Sequence, residues 1–488
     1  MQTNDALAQT QQGALQGLRD GGVFAWLGVP YAQPPVGARR FLPPAPAQPW
    51  TGVRDAVDYG AACPQKVFGP QSSLGPRLDE DCLTLNIWSP APDGRKRPVM
   101  VWIHGGAFVM GSARMFSGAH LAAQGDIVVV AINYRLGVLG FANFGEALGD
   151  DRIESNLGLR DQVEALRWLR DNIAAFGGDP ARVTISGESA GSMSVSLLMQ
   201  AVEARPLFRA AIMQSGALSL IHSHEMSRKV GRAYVEKLGV QTLEELQAVP
   251  AARLLETQAE VHKLVPDTIP AAPWFDGSLL PSSLAAARAL PTPDIPLLAG
   301  YNRHEIRFFE IAKGLADVFL TRASMGRMMR EQIGDAATDR ILAAYPDDKK
   351  GNRDLGSHTS FAMPTLNFAQ RHARRHPTWL YRFDCGHPLL GAVHGIELLY
   401  LFDKRGVVSA LMRGSPLWGK RKELAQRMQK HWINFVREGT PGADWLALDE
   451  QGQATLIMNR VSRIVRDPER LQRLAWAGND VGPGVARV

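Results

Sequence analysis

Cysteine is scarce in this chain of 488 residues, which has only Cys63, Cys82 and Cys385. At most one bridge can form, so disulfides cannot scaffold a chain of this length, and no Cys-x-x-Cys or Cys/His spacing offers a zinc site. Long apolar runs are missing too. Met1 to Arg19 is polar and Gln-rich with no apolar core of an export signal, and no run of about 18 apolar residues follows. The expectation is therefore no membrane span and a cytoplasmic location with reduced thiols. Charge of one sign is also thin: 54 Lys and Arg stand against 48 Asp and Glu, a net +6. That is too dilute for nucleic acid without a clustered stripe. The densest basic stretches, Arg371 with Arg374 and Arg375, and Lys420 to Lys422, lack interleaved aromatics and read as solvated helix faces.

What is present is ordinary globular composition, with 45% hydrophobic and 21% charged residues, which excludes disorder as a description of the whole chain. Length alone predicts about three domains, a prior that large α/β enzymes break. Ala14 to Arg19 and Val23 to Leu27, split by Asp20-Gly21-Gly22, predict a hairpin. The prolines of Pro30 to Trp50 predict an irregular wrap. Val99 to Ile103, Ile127 to Asn133 and Val183 to Ile185 are near-continuous apolar runs, the pattern of parallel strands buried on both faces. Gly158 to Phe176 has a helical period between the second and third, so the unit reads as strand, crossover helix, strand. Ser219 to Leu290 and Ala312 to Gly356 are helical in period, with strand candidates at Pro296 to Tyr301 and Trp379 to Asp384. The last expected helix is Lys420 to Glu438.

Gly187-Glu188-Ser189-Ala190-Gly191 is a G-x-S-x-G directly after a strand and before a helical run. That context presents Ser189 Oγ on a sharp turn above a helix N-terminus. A serine hydroxyl needs a base, and the base needs an acid to orient it; on α/β-hydrolase sheets they follow in the order serine, acid, histidine. His358, His372, His376, His387, His394 and His431 come late enough in the chain. Of these, His394 lies in a glycine-flanked loop, Gly391-Ala392-Val393-His394-Gly395, rather than in a helical period. Glu305 follows the strand candidate at Pro296 to Tyr301, with Glu310 and Asp276 as competitors that spacing leaves open. His104-Gly105-Gly106-Ala107-Phe108 follows the strand at Val99. The N-H groups of Gly106 and Ala107, with that of Ala190, are the candidate oxyanion donors.

These motifs occur with others in one order: Gly28-Val29-Pro30-Tyr31-Ala32, Glu80-Asp81-Cys82-Leu83, Asn133-Tyr134-Arg135-Leu136-Gly137, Phe176-Gly177-Gly178-Asp179-Pro180, Gln214-Ser215-Gly216, and His394-Gly395 with Glu397. From about Phe24 to Trp445 the chain resembles the type-B carboxylesterase family, the cholinesterase-like α/β-hydrolases, and especially its bacterial para-nitrobenzyl esterases. The resemblance implies Ser189 as nucleophile, Glu305 as acid and His394 as base. Arg303-His304-Glu305-Ile306 departs from the family's usual acid motif, in which an acidic residue precedes the glutamate and glycine follows it. It further implies ion pairs Arg40 with Glu80 and Arg135 with Asp161. Cys63 and Cys82 match the family's first disulfide, expected here as free thiols.

The expected architecture is an α/β-hydrolase fold, a mostly parallel sheet flanked by helices, forming one catalytic unit over 1-488. Helical insertions at about 219-290 and 312-356 would wall the site. The expected activity is hydrolysis of a small-molecule carboxylic ester through an acyl-enzyme, without metal or organic cofactor, by a monomer or weak homodimer. Phe108, Phe308 and Phe309 are candidates for substrate contact. The same machinery could serve carbamates, amides or lactones, and a non-catalytic binding module of the family would typically have lost the serine or histidine.

Overall fold

The computed structural model describes residues 6–20, 22–66, 77–265, 269–311, 321–387, 390–402, 418–449, 453–477 and 479–481. Gly21 of the expected turn and residues 312–320 of the second insertion lie outside them. The first strands are β1 (Leu7–Gln9), β2 (Ala14–Gln16), β3 (Leu18–Asp20), β4 (Val23–Pro30) and β5 (Val53–Asp55). Then come β6 (Thr84–Ser89), β7 (Arg97–Ile103), β8 (Val128–Ile132), β9 (Gly178–Glu188) and β10 (Ala210–Gln214). The series ends with β11 (Leu297–Asn302), β12 (Thr378–Phe383), β13 (Ala454–Met458) and β14 (Arg463–Arg466).

Eleven of these form one sheet in the order β14-β13-β12-β11-β10-β9-β7-β8-β6-β4-β3. From β8 across to β13 every pairing is parallel, and the outer pairings at both edges are antiparallel. Side chains that alternate along a strand feed opposite faces. Val99, Val101 and Ile103 of β7 enter one core while Met100 and Trp102 enter the other. The helix Leu157–Asn172 covers the first face with Leu159, Val163, Leu166 and Leu169. The helix Trp418–Glu438 covers the second with Leu424, Met428, Trp432 and Phe435. Each such side chain contributes about 1.5–3 kcal/mol by leaving water, so the spacing that predicted these helices is also what holds them on the sheet.

The expected hairpin forms only in its second half. β3 pairs with β4, whereas β2 leaves to join β1 and β5 in a separate three-stranded sheet. The break falls at Gly17, where a Cβ would lie 2.5 Å from Ala25 O, so the chain crosses its neighbour at a distance no side chain allows. Three strands that apolar runs do not announce, β6, β10 and β13, are fully buried. β6 buries the polar Asn86, whose Oδ1 accepts from Gly28 N at 3.0 Å, and such a paired polar residue interrupts the hydrophobic pattern. Trp418–Glu438 is also not the last helix, since Arg470–Trp476 follows β14 and is anchored by the buried Trp476. The stretches read as helical do contain helices: His224–Leu238, Leu243–Ala248, Ala251–Leu264 and Leu284–Ala289 in the first, Arg322–Ile333, Asp335–Ala343 and Lys349–Ser357 in the second. Among the described residues no helix is long and apolar enough to cross a membrane. Of the basic stretches, Arg374 and Arg375 are exposed, but Arg371 is half-buried and bonded to Asp480 at 2.9 Å, so that face is not simply solvated.

Candidate active site

Parallel pairing aligns the carboxyl ends of the central strands. Ile103 is in register with Gly187, Glu188 with Gln214, Gln214 with Gly300, and Asn302 with Phe383. Loops leaving these ends therefore meet at one edge of the sheet, where open α/β sheets place their sites.

Ser189 stands between β9 and the helix Ala190–Leu198, with φ 59° and ψ −126°. That is a sparsely populated conformation for a residue with a side chain, of the kind that surroundings must hold in place. Ser189 N donates to Gln214 O and Met193 N to Ser189 O, both at 2.9 Å. A Cβ on Gly191 would lie 2.0 Å from Ile103 O, so only glycine lets this helix start against β7. The loop after β7 leans on the same turn: a Cβ on Gly105 would lie 2.9 Å from Ser189 Cβ. Gly106, Ala107 and Phe108 follow with φ of 117°, 54° and 61°. Among the described residues the N-H groups of Gly106 and Ala107 have no acceptor. Ala190 N opens its helix, where no intrahelical acceptor exists. Phe108 O accepts from Gly137 N at 2.7 Å, and its fully buried ring packs edge-on against Phe141 at 5.2 Å. Phe108 thus anchors the loop in the core.

Glu305 and His394 are brought together. Glu305, fully buried, receives His394 Nδ1 on Oε2 at 2.7 Å and Asn302 N on Oε1 at 2.6 Å. The competitors are engaged elsewhere. Asp276 accepts from Asn156 Nδ2 and Leu280 N, each at 2.8 Å, and Glu310 pairs with Arg353. Of the other late histidines, His358 bonds Tyr345 Oη at 2.7 Å, His372 bonds Thr292 and Ile295 O, His376 pairs with Asp294, His387 bridges to Gly391, and His431 bonds Pro441 O.

The unusual Arg303-His304 pair has a structural account. Arg303 reaches outward to Asp384 at 3.2 Å, while His304 N donates to Ala392 O at 2.9 Å and His304 Nδ1 accepts from Ala392 N at 3.2 Å. His304 so ties the acid loop to the histidine loop. Burial, followed by the Arg307 and Arg303 charges, pushes its pKa down to about 4, which keeps Nδ1 free to accept.

Three residues beyond the sequence-based candidates complete the surroundings. Glu188 Oε1 lies 3.2 Å from His394 Nε2. Glu397 is fully buried, accepting from Asn302 Nδ2 at 2.5 Å and Gln214 Nε2 at 3.2 Å. Phe361, in a π-helical turn at His358–Ala362, sets its ring 4.3 Å from the His394 ring. Phe309 lies 5.2 Å and the partly exposed Phe308 6.3 Å from the same ring. Burial disfavours a charged His394, but Glu188 and then Glu305 outweigh it, and the pKa rises to about 9. Burial, then Glu188 and Glu305, pushes Glu397 up to about 8. The motifs already contained Glu188 and Glu397; nothing local to Phe361 marks it.

The expected ion pairs form. Arg135 holds Asp161 through Nη2 at 2.7 Å and Nε at 2.8 Å, both side chains buried, and Arg40 Nε donates to Glu80 at 2.6 Å. Cys63 and Cys82 are buried free thiols, as is Cys385.

The model of the "Carboxylesterase family" matches residues 4–473. The para-nitrobenzyl esterase of Bacillus subtilis (strain 168) is 35% identical over 96% of this chain and 97% of its own length. The phenmedipham hydrolase of Pseudarthrobacter oxydans is 36% identical over 90% of this chain and 91% of its own. A solved thermophilic PNB esterase superposes with a TM-score of 0.89 at 34% identity, covering 97% of this chain and all of that one. The chain belongs to the carboxylesterase family and is a carboxylic ester hydrolase on the α/β-hydrolase fold.

Proposed function

We propose that Ser189, His394 and Glu305 form the catalytic triad of this esterase and that the N-H groups of Gly106, Ala107 and Ala190 form its oxyanion hole. The observation that carries the reading is the 2.7 Å bond between His394 Nδ1 and Glu305 Oε2 at the sheet edge where Ser189 stands. Ser189 Oγ attacks the ester carbonyl while His394 Nε2 takes its proton. The carbon-oxygen bond to the alcohol breaks as His394 returns that proton to the leaving oxygen. Water, deprotonated by the same nitrogen, then cleaves the acyl-enzyme to the acid and free Ser189. Glu305 keeps the proton of the neutral ring on Nδ1 and stabilises the imidazolium. Each oxyanion donor contributes roughly 3–4 kcal/mol at the transition state. No metal or organic cofactor takes part.

The whole chain acts as one catalytic unit, with the helices of 219-290 and 312-356 selecting the substrate, a small-molecule ester. The free buried thiols support a reducing, cytoplasmic setting, and the chain acts there as a monomer or weak homodimer. A fluorophosphonate tests the nucleophile directly, since attack by an activated serine forms an oxygen-phosphorus bond and expels fluoride. The adduct mass is expected on the peptide containing Ser189; modification of another residue, or of none, overturns the assignment.

The acidic surroundings make a pH prediction. A general base must be neutral, so kcat/KM rises as pH climbs through the pKa of His394 in the free enzyme. Glu188 and Glu305 hold that pKa above the ordinary 6.5, towards about 9, so the acidic limb should lie above pH 6.5. Glu188→Gln removes the carboxylate that raises the His394 pKa most and should move the limb to lower pH. A limb at or below 6.5 that stays in place in this variant would show that the carboxylates do not govern the base.

A further inference from the structure

A cavity of about 200 Å³, with no residue of the Ser189 site in its lining, is walled by Arg288, Arg371, Arg374 and Arg375 together with Gln200 and Phe368. Its lining contains no acid. Behind it stands Asp480, whose Oδ2 receives both Arg288 Nε and Arg371 Nη1 at 2.9 Å, while its other oxygen is taken by Asn367 Nδ2. One carboxylate thus serves two guanidiniums. Burial, against the pull of Asp480, and then the neighbouring Arg288 charge hold the Arg371 pKa below its ordinary value.

Arginines near a helix C-terminus complement its dipole, and Arg288 and Arg371 occupy the last turns of the helices Leu284–Ala289 and Met363–Ala373. That dipole explains each arginine singly but not their convergence. Two helix ends supply about one negative charge together. With Arg374 left out of the count, Arg288, Arg371 and Arg375 still exceed the helix ends and Asp480 by about one positive charge.

A second observation is independent of charge. Gln200 lines the same cavity and is 2% exposed, yet its Oε1 has no hydrogen-bond partner among the described residues. A buried polar atom left unpaired costs about 1–3 kcal/mol. An amide can turn end for end, offering either its oxygen or its two N-H donors to a ligand.

We propose that this cavity is a binding site for a small soluble anion of the phosphate class, about the size of pyrophosphate. The guanidinium forks come from two separate helices, Leu284–Ala289 and Met363–Ala373, and several forks meeting in one cavity suit the tetrahedrally spread oxygens of phosphate better than a planar carboxylate. Arg288 and Arg371 hold the anion from the base, Arg375 closes over it at the exposed mouth, and the Gln200 amide bonds an oxygen on the inner wall.

Calorimetric titration of the full chain with inorganic pyrophosphate at low ionic strength tests the site. One saturable site per chain is expected, weakened about tenfold in Arg375→Gln and weakened by added salt. Arg375 is exposed and lines a cavity that includes no residue of the Ser189 site, so turnover of a para-nitrophenyl ester should be unchanged in that variant and shows that it is folded. Arg232→Gln, at an exposed helical position outside the cavity, should bind as the unaltered chain does. No saturable binding, equal binding in Arg375→Gln, or an equal loss in Arg232→Gln overturns the proposal. Citrate binding as tightly as pyrophosphate overturns the phosphate class.

Discussion

Ser189→Ala should lower kcat for a para-nitrophenyl ester by on the order of a millionfold, the loss expected when the nucleophile of such a triad is removed. The chain should fold as before. Both hydrogen bonds that fix residue 189 in its strained conformation use its backbone N-H and carbonyl, which alanine keeps. Alanine also meets the same backbone strain as serine at φ 59°. Melting temperature and circular dichroism should therefore stay close to those of the unaltered chain while turnover disappears. A residual rate about a thousandfold above that in water is compatible with the proposal, because the oxyanion donors and substrate positioning survive. Retention of a tenth or more of kcat in a folded variant would remove Ser189 from the chemistry.

Glu305→Gln should cost about 10⁴-fold in kcat. The argument rests on which oxygen does what. Oε1 accepts from Asn302 N at 2.6 Å, so the glutamine oxygen is expected to take that place. Its NH₂ group then faces His394 Nδ1, where Glu305 Oε2 now lies at 2.7 Å. The ring must accept there and carry its proton on Nε2, the wrong tautomer for taking a proton from serine. An uncharged amide is cheaper to bury than an unpaired carboxylate, so stability should hold and the loss should appear in kcat. A loss below tenfold would mean that Glu188 or Glu397 supplies the orienting charge instead.

Sequence reading recovers what is repetitive and local. Val99 to Ile103 and Ile127 to Asn133 announce themselves as strands because both faces are buried and nearly every residue is apolar. The Ser189 turn is legible because glycine is demanded on either side by contacts with β7 and with the helix start. Strand β10 does not stand out from its surroundings because five buried residues, Ala210–Gln214, are too few to show a period. The pairing of Glu305 with His394 joins residues 89 apart in the chain. Spacing alone left Glu310 and Asp276 open, and it took the family resemblance to choose. Nothing in the local sequence marks Phe361, because a π-helical turn places its ring near His394 and no local pattern encodes such a turn.

The register that aligns Ile103, Glu188, Asn302 and Phe383 also orders events in time. During synthesis the chain emerges with its candidate donors at Gly106 and its serine at 189 long before residues 305 and 394 exist. Contacts of such long sequence separation form late, since loop closure must precede the pairing that rewards it. A growing chain would therefore carry a dormant serine, and ester-cleaving activity should return in refolding only with the closure of β11 and β12 onto β10. Recovered activity in this molecule should therefore report on the completion of the sheet.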